Sequence, residues 1–221
     1  MLVIQGLHAA ETTRGGRAYL VEGPMECVVI DTGAPDGGLG AGHMIGAAKR
    51  QLHEVRLILL THAHPGHAGN AAALREITGA RLAASAETAE QLREAGATTM
   101  RGGLLRRGRR WPPQPIRVEE ILTPGRVLDL AGGIEVIAAP GHAPGALAFH
   151  CYGPGALMLG DAARVDRAGR VQPPPDRHCA EPAIASHTAE RLAAIRTRVV
   201  CPGHGLPTVD GKRPARSWHR A

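Results

Sequence analysis

Aromatic side chains are nearly absent from this 221-residue sequence: Tyr19, Trp111, Phe149, Tyr152 and Trp218 are the whole set. Ala, Val, Leu and Ile must therefore fill the core, which they can do at native density. The scarcity also removes the stacking platforms on which single-stranded nucleic acid is held. Lysine is scarce too, with only Lys49 and Lys212, so the net charge of +6 rests on arginine. Arg101, Arg106, Arg107, Arg109, Arg110 and Arg117 cluster, but glycines and prolines interrupt them and Trp111 alone accompanies them. That pattern reads as a solvated loop or lid, and nucleic acid is not an expected partner.

Paired cysteines are missing as well. Cys27, Cys151, Cys179 and Cys201 stand far apart and form no CxxC, which excludes a zinc ribbon and a thioredoxin-type motif. The opening MLVIQGLHAAETTRGG lacks a cationic region followed by an apolar one, and no later run has the length of a membrane span. The expectation is a cytoplasmic protein with reduced thiols and no membrane partner. The length suits one domain over residues 1–210, followed by a basic tail, GKRPARSWHRA, over 211–221.

Ala18 to Asp31 contains two apolar runs around Gly23-Pro24, a strand, turn, strand signal. A helix is expected around His43 to His53, and Arg56 to Leu60 reads as a strand buried on both faces. Asn70 is placed to cap a helix ending at Thr78 before Gly79, and Ser85 a second one reaching Glu94. RLAAS, VLDL, IEVIAA, ALAFHCY, ALMLG and VVC are strand-length runs. Pro182 opens a last helix carrying Ile184, Thr188, Leu192 and Ile195. Alternating strands and helices, then hairpin-like strands, indicate a layered α/β or α+β domain whose central sheets are covered by helices.

The chemistry concentrates in Thr61-His62-Ala63-His64-Pro65-Gly66-His67, set between a buried strand and a helix. His62 and His64 are two residues apart, so in an extended turn both project to one side, and His67 returns from the following helix. Three imidazoles converging without a cation would penalise one another's protonation. Three more fragments place a ligand type just past an apolar run: His142 after IEVIAAPG, Asp161 after ALMLG and His204 after VVCPG. A glycine precedes each (Gly141, Gly160, Gly203) and allows the backbone a close approach. Five histidines and one carboxylate suit zinc or iron better than calcium or magnesium. The remaining histidines, at 8, 43, 53, 150, 178, 187 and 219, read as surface or locally bonded residues. The position of His178 beside Cys179, in a loop with Pro173, Pro174 and Pro175, leaves a covering role open.

In this order the residues resemble the metallo-β-lactamase superfamily, whose pattern is HxHxDH, a histidine in PGH, an aspartate in GD and a final histidine. The likeness runs through His62, His64, His67, His142, Asp161 and His204 and spans most of the chain. It implies a four-layer αββα sandwich of two mixed sheets, with metal at one edge. By the same likeness His62, His64 and His142 hold a first ion, His67 and His204 a second, Asp161 bridges them, and Asp31 supports the site. Gly66 stands where the family has the aspartate of HxHxDH, which points to one zinc, or to a second held weakly. The resemblance to compact glyoxalase II-like members implies hydrolysis of a small ester, thioester or lactone by water activated on the metal, and the arginines of residues 97–117 and 164–180 would favour an anionic one. A persulfide dioxygenase with a single iron and a metal-binding member without turnover are the alternatives. Ala97 to Arg117 and Arg164 to Ala180 are expected to wall the substrate entrance.

Overall fold

The computed structural model describes residues 1–11, 16–35, 39–94 and 115–210. Its first sheet has seven strands: β1 (Leu2–Ile4), β2 (Leu7–Glu11), β3 (Arg17–Glu22), β4 (Cys27–Ile30), β5 (Val55–Leu59), β6 (Arg81–Ala84) and β7 (Glu120–Ile121), adjacent in sequence order. The first four run antiparallel, and β4 to β7 are parallel. The second sheet is built from β8 (Val127–Leu128), β9 (Ile134–Ala138), β10 (Leu147–Cys151), β11 (Ala156–Gly160), β14 (Val199–Pro202) and β15 (Thr208–Val209). Between β11 and β14 the chain makes a small hairpin, β12 (Arg164–Val165) with β13 (Val171–Gln172). The crossover returns β14 parallel to β11.

The period-two alternation of strand side chains sorts the core into layers. Val28 and Ile30 of β4, with Leu57 and Leu59 of β5, enter the core between the sheets, where they meet Ile134, Val136, Phe149 and Met158. Cys27, Val29, Ile58 and Leu60 alternate onto the other face, beneath α1 (Leu39–Ala47), α3 (Ala71–Thr78) and α4 (Ala86–Glu94). Leu157 and Leu159 on the outer side of the second sheet pack under Leu192 of α5 (Pro182–Ala193). The result is the αββα sandwich, with Leu57 to Leu60 buried on both faces as expected and Arg56 exposed at the start of the run. Phe149, the single phenylalanine, is fully buried between the sheets, and Cys27, Cys151 and Cys201 are buried free thiols.

Several boundaries differ from the sequence reading. The helix expected over His43–His53 begins earlier and leaves helical geometry at Lys49, which adopts φ 57; a separate 3-10 turn covers Leu52–Glu54. Gly79 ends α3 as expected, but Asn70 does not cap it with its side chain. That amide donates instead to Thr32 O (2.9 Å) and Ala34 O (2.6 Å) across the sheet edge. Ser85 does cap α4, accepting from Thr88 N at 3.1 Å. The buried face of α5 runs through Ala185, Thr188, Ala189 and Leu192 and leaves Ile184 exposed. Gly141, at φ 114, lies against the backbone and Cβ of buried Ala185 too closely to carry a side chain of its own. Among the described residues no helix is long and apolar enough to cross a membrane. Most of Ala97–Arg117 and the 211–221 tail lie outside the described residues.

Candidate metal centre

The six residues of the sequence pattern arrive from four strand ends at one edge of the sandwich. His62 and His64 follow β5, and His67 sits in the short helix α2 (Pro65–Ala68). His142 follows β9, Asp161 follows β11, and His204 follows β14. The His62 ring centroid lies 4.6 Å from that of His64, 4.2 Å from His67 and 4.9 Å from His142; His67 and His204 are 5.5 Å apart. Asp161 is central to the second half of the cluster: its Oδ1 is 3.2 Å from His67 Nε2, and its Oδ2 is 3.4 Å from His204 Nε2 and 3.6 Å from His142 Nε2. His62, His67 and His142 are buried, whereas the His204 side chain is 52% exposed and forms the solvent side.

Buried hydroxyl and carboxylate groups set the direction of two of these rings. Asp31 takes φ 56, a strained value for a residue with a side chain, and the strain is held by three contacts. Its carboxylate accepts from Thr61 N (2.8 Å), from Thr61 Oγ1 (2.8 Å) and from His67 Nδ1 (2.6 Å). A threonine hydroxyl carries one proton. With that proton given to Asp31, Thr61 Oγ1 accepts from His62 Nδ1, 3.0 Å away, and the lone pair of His62 is left on Nε2, facing the cluster. His67 is fixed in the same sense, its Nδ1 bound to Asp31 and its Nε2 turned inward. Thr32 Oγ1 donates to His67 O (2.9 Å), and Tyr19 Oη donates to Pro202 O (2.7 Å), tying the end of β14, two residues before His204, to the first sheet.

Gly203 shows why the backbone must lack a side chain here. A Cβ at that position would collide with Asp161 Oδ1 and with the His67 ring. The Asp161 and His67 side chains are in effect packed against bare backbone.

Electrostatics divides the cluster. Burial, followed by repulsion from His67, drives the His62 pKa well below its ordinary value. Burial and then His142 bring His64 down to about 4. His142 is also lowered, chiefly by burial. Burial would lower His67 as well, but the carboxylates of Asp161 and Asp31 outweigh it and raise this group to about 10. Asp161, despite a burial cost, is held well below the carboxylate range by His67 and His204.

These donors suit a metal ion. Among the described residues, the buried Nε2 of His62 has no hydrogen-bond partner, which is a costly state for a polar atom in a core, and that of His67 faces the Asp161 carboxylate at 3.2 Å. Ligand atoms of His62, His64 and His142 all lie within 4.8 Å of one another, and so do those of His62, His67 and Asp161. His142 Nε2 and His64 Nδ1 are 3.1 Å apart, close to the roughly 3.3 Å that separates two nitrogens held at about 2.0 to 2.1 Å in a tetrahedral site. Nitrogen-rich donors favour zinc or another first-row transition metal over calcium and magnesium.

Ala180 N donates to His142 O (3.1 Å) and Glu181 N to Gly141 O (2.8 Å), so the end of the Arg164–Ala180 segment is stitched to the cluster. His178 is exposed in that stretch and lowers the pKa of His142 by its charge. His8 pairs with Glu22 at 2.5 Å, and His43, His53 and His187 are exposed, as surface or locally bonded residues should be. The sequence reading did not single out Thr61, Thr32 or Tyr19. Thr61 was legible in hindsight as the one hydroxyl adjoining the histidine run, but the other two act through contacts 35 and 183 residues away.

Comparison with known proteins agrees with this architecture. The profile of the metallo-beta-lactamase superfamily matches residues 12–204, and the chain belongs to that superfamily. It is 33% identical over 165 residues to a hydroxyacylglutathione hydrolase from Rhodobacter capsulatus, covering 73% of this chain and 52% of that protein. A hydroxyacylglutathione hydrolase from Cereibacter sphaeroides is 28% identical, with 74% and 54% covered. The chain thus spans about half the length of these relatives. Among solved structures, a Cronobacter sakazakii metallo-beta-lactamase superposes with a TM-score of 0.74 at 23% identity, covering 93% of this chain and 77% of the other. A metallo-beta-lactamase family protein from Thermus thermophilus gives 0.70 at 24%, with 96% and 77% covered.

Proposed function

We propose that this chain is a metal-dependent hydrolase of a small ester, thioester or lactone. The observation that carries the reading is the convergence of His62, His64, His67, His142, Asp161 and His204 from four strand ends, with the buried Nε2 of His62 left unpartnered. His62, His64 and His142 would hold one ion, and His67, His204 and Asp161 would contribute to a second. Zinc is the ion these donors suit best, and bound there it would acidify a water molecule and polarise the substrate carbonyl.

The protein's own part is orientation. Thr61 fixes the tautomer of His62 so that it presents a lone pair inward without reorganising, and Asp31 orients the His67 ring, whose inward proton a metal would displace. Asp161, facing three imidazoles, supplies the negative charge that offsets a concentrated positive site. Exposed His204 marks the side from which substrate enters. The likeness to hydroxyacylglutathione hydrolases favours thioesters, although the chain matches only half of those proteins.

The test is elemental analysis of protein purified without added metal, followed by assay on hydroxyacylglutathione thioesters, lactones and simple esters. Zinc with ester or thioester cleavage supports the proposal. Stoichiometric iron with oxygen consumption on a persulfide would replace it with a dioxygenase, a reading that the missing ligand at Gly66 favours. Metal without turnover on any substrate would leave a binding protein.

A further inference from the structure

His204 is the most exposed of the six ligand-type side chains, at 52%, whereas His62 and His67 are buried. It follows the end of β14 at Pro202, in a turn with Gly203 before it and Gly205 after it, the latter at φ 91. Glycine on both sides gives the backbone of a residue unusual freedom. The place of this imidazole must therefore be set by contacts from outside its own turn.

The start of β3 supplies them. Arg17 N donates to Gly203 O at 2.9 Å, and the guanidinium Nε of the same residue donates to Gly205 O. Carbonyls on both sides of His204 are thus held by one residue. Gly16, just before it, pairs with His204 itself in an isolated antiparallel bridge. Tyr19, two residues on and so on the same face of the strand, donates to Pro202 O. Arg17 is only 4% exposed, although arginine is a residue type seldom buried without a task for its charge. A guanidinium presents its donors in a fixed plane, and that geometry suits a bond to one particular carbonyl better than a freely turning ammonium does.

We propose that Arg17 is the positioning residue of His204: bonded to Gly203 and Gly205, it fixes the last ligand against the first sheet and so sets the second half of the cluster. It acts through His204 and not on the metal. The proposal rests on the metal reading above and adds to it a residue outside the histidine and aspartate pattern. His62, His64 and His142 follow β5 and β9, neither of which pairs with β3, so the first ion should be indifferent to Arg17.

Four full-length proteins test this: native, Arg17→Met, Arg17→Lys and Val21→Ala. Arg17→Met removes the guanidinium, and Arg17→Lys keeps the charge without the Nε–H. Val21→Ala truncates a buried side chain of the same strand, paired with Leu7 and Val28, and reports general loosening of the sheet. Each apoprotein is titrated with zinc against chromophoric chelators, and amide hydrogen exchange is followed at Gly203, whose N–H donates to Gly160 O at 2.7 Å. Arg17→Met should weaken the second zinc equivalent by about 10- to 100-fold and leave the first unchanged. It should also speed exchange at Gly203 by about tenfold or more in the absence of metal. Arg17→Lys should show the same selective loss to a smaller degree, and it decides the matter if Arg17→Met does not fold. Val21→Ala should do neither. Equal weakening of both equivalents, an unchanged second equivalent, or the same loss in Val21→Ala would overturn the positioning role while leaving the metal reading intact. Failure of the native protein to compete for any zinc would overturn the metal reading and this inference with it.

Discussion

The two halves of the histidine cluster are built differently. His62, His64 and His142 form a half with three neutral nitrogens, each driven below its ordinary pKa chiefly by burial, and none engaged in a close ion pair except the 3.6 Å approach of His142 to Asp161. His67, Asp161 and His204 form a half wired through carboxylates, in which His67 stands between Asp31 at 2.6 Å and Asp161 at 3.2 Å. The first half therefore waits as lone pairs with no charge to remove. The second satisfies itself without a metal by holding a proton on His67, and a metal must displace that proton to bind. The difference teaches that a full count of ligand residues does not make two sites equal: one is preorganised for a cation, and the other is occupied by an internal ion pair and lacks an oxygen at Gly66.

Removing a first-half ligand should break this asymmetry most severely. His62→Ala and His142→Ala should each abolish tight zinc binding, losing more than the roughly 100-fold that loss of a supporting hydrogen bond can cost a metal site. Zinc content after dialysis against chelator measures this. If His62→Ala retained a full tight equivalent, the division into halves would be wrong.

Asp31→Asn should act on the second half, lowering affinity for the second zinc by about 10- to 100-fold with little change in the first. The same variant tests the proton on His67. In the metal-free protein the folded pKa of about 10 lies above the ordinary histidine value. The stabilisation is therefore complete below about pH 6.5 and is lost as pH rises through about 10. Urea melts of the apoprotein from pH 6 to pH 10 should show stability falling with pH, and Asp31→Asn should flatten that slope. A native protein equally stable across the range would show that His67 is neutral.

Packing separates Gly203 from Gly66, since a Cβ would collide at the first and meets no atom within 4 Å at the second. Gly203→Ala should destabilise the apoprotein by about 1 to 3 kcal/mol, as overpacking does in a filled core. Gly66→Asp should change stability by less than about 1 kcal/mol, because it enters open space in the first turn of a helix, where aspartate is tolerated or favoured. It should nevertheless raise zinc content towards two per chain. Thermal melts with metal analysis of both variants check the pair, and a Gly66→Asp protein that failed to fold would refute the open-space reading.

Much of the fold was legible because strand alternation and turn residues are local. The Arg56–Leu60 run, the hairpin strands from Ile134 to Gly160 and the caps at Ser85 and Gly79 follow from neighbours in sequence. The gathering of His142, Asp161 and His204 beside the His62–His67 turn was legible in another way, through the ordered family pattern, since strand spacing alone cannot say which strand ends meet. What escaped was set by tertiary contacts. Asn70 was drawn from its cap to Thr32 and Ala34, α5 turned Ala185 against Gly141 and left Ile184 exposed, and Asp31 was held in a strained conformation by Thr61. The division of the cluster into neutral and ion-paired halves depends on which carboxylate lies behind which imidazole, and no one-dimensional pattern carries that.

The most direct test of this account is the zinc titration of the native protein, without added carboxylate, against a chelator of known affinity. The account predicts one tight equivalent and a second at least about 100-fold weaker, a gap of some 2.7 kcal/mol. Two equivalents of equal affinity would contradict it, and would mean that another group or a solvent anion already serves where Gly66 offers none.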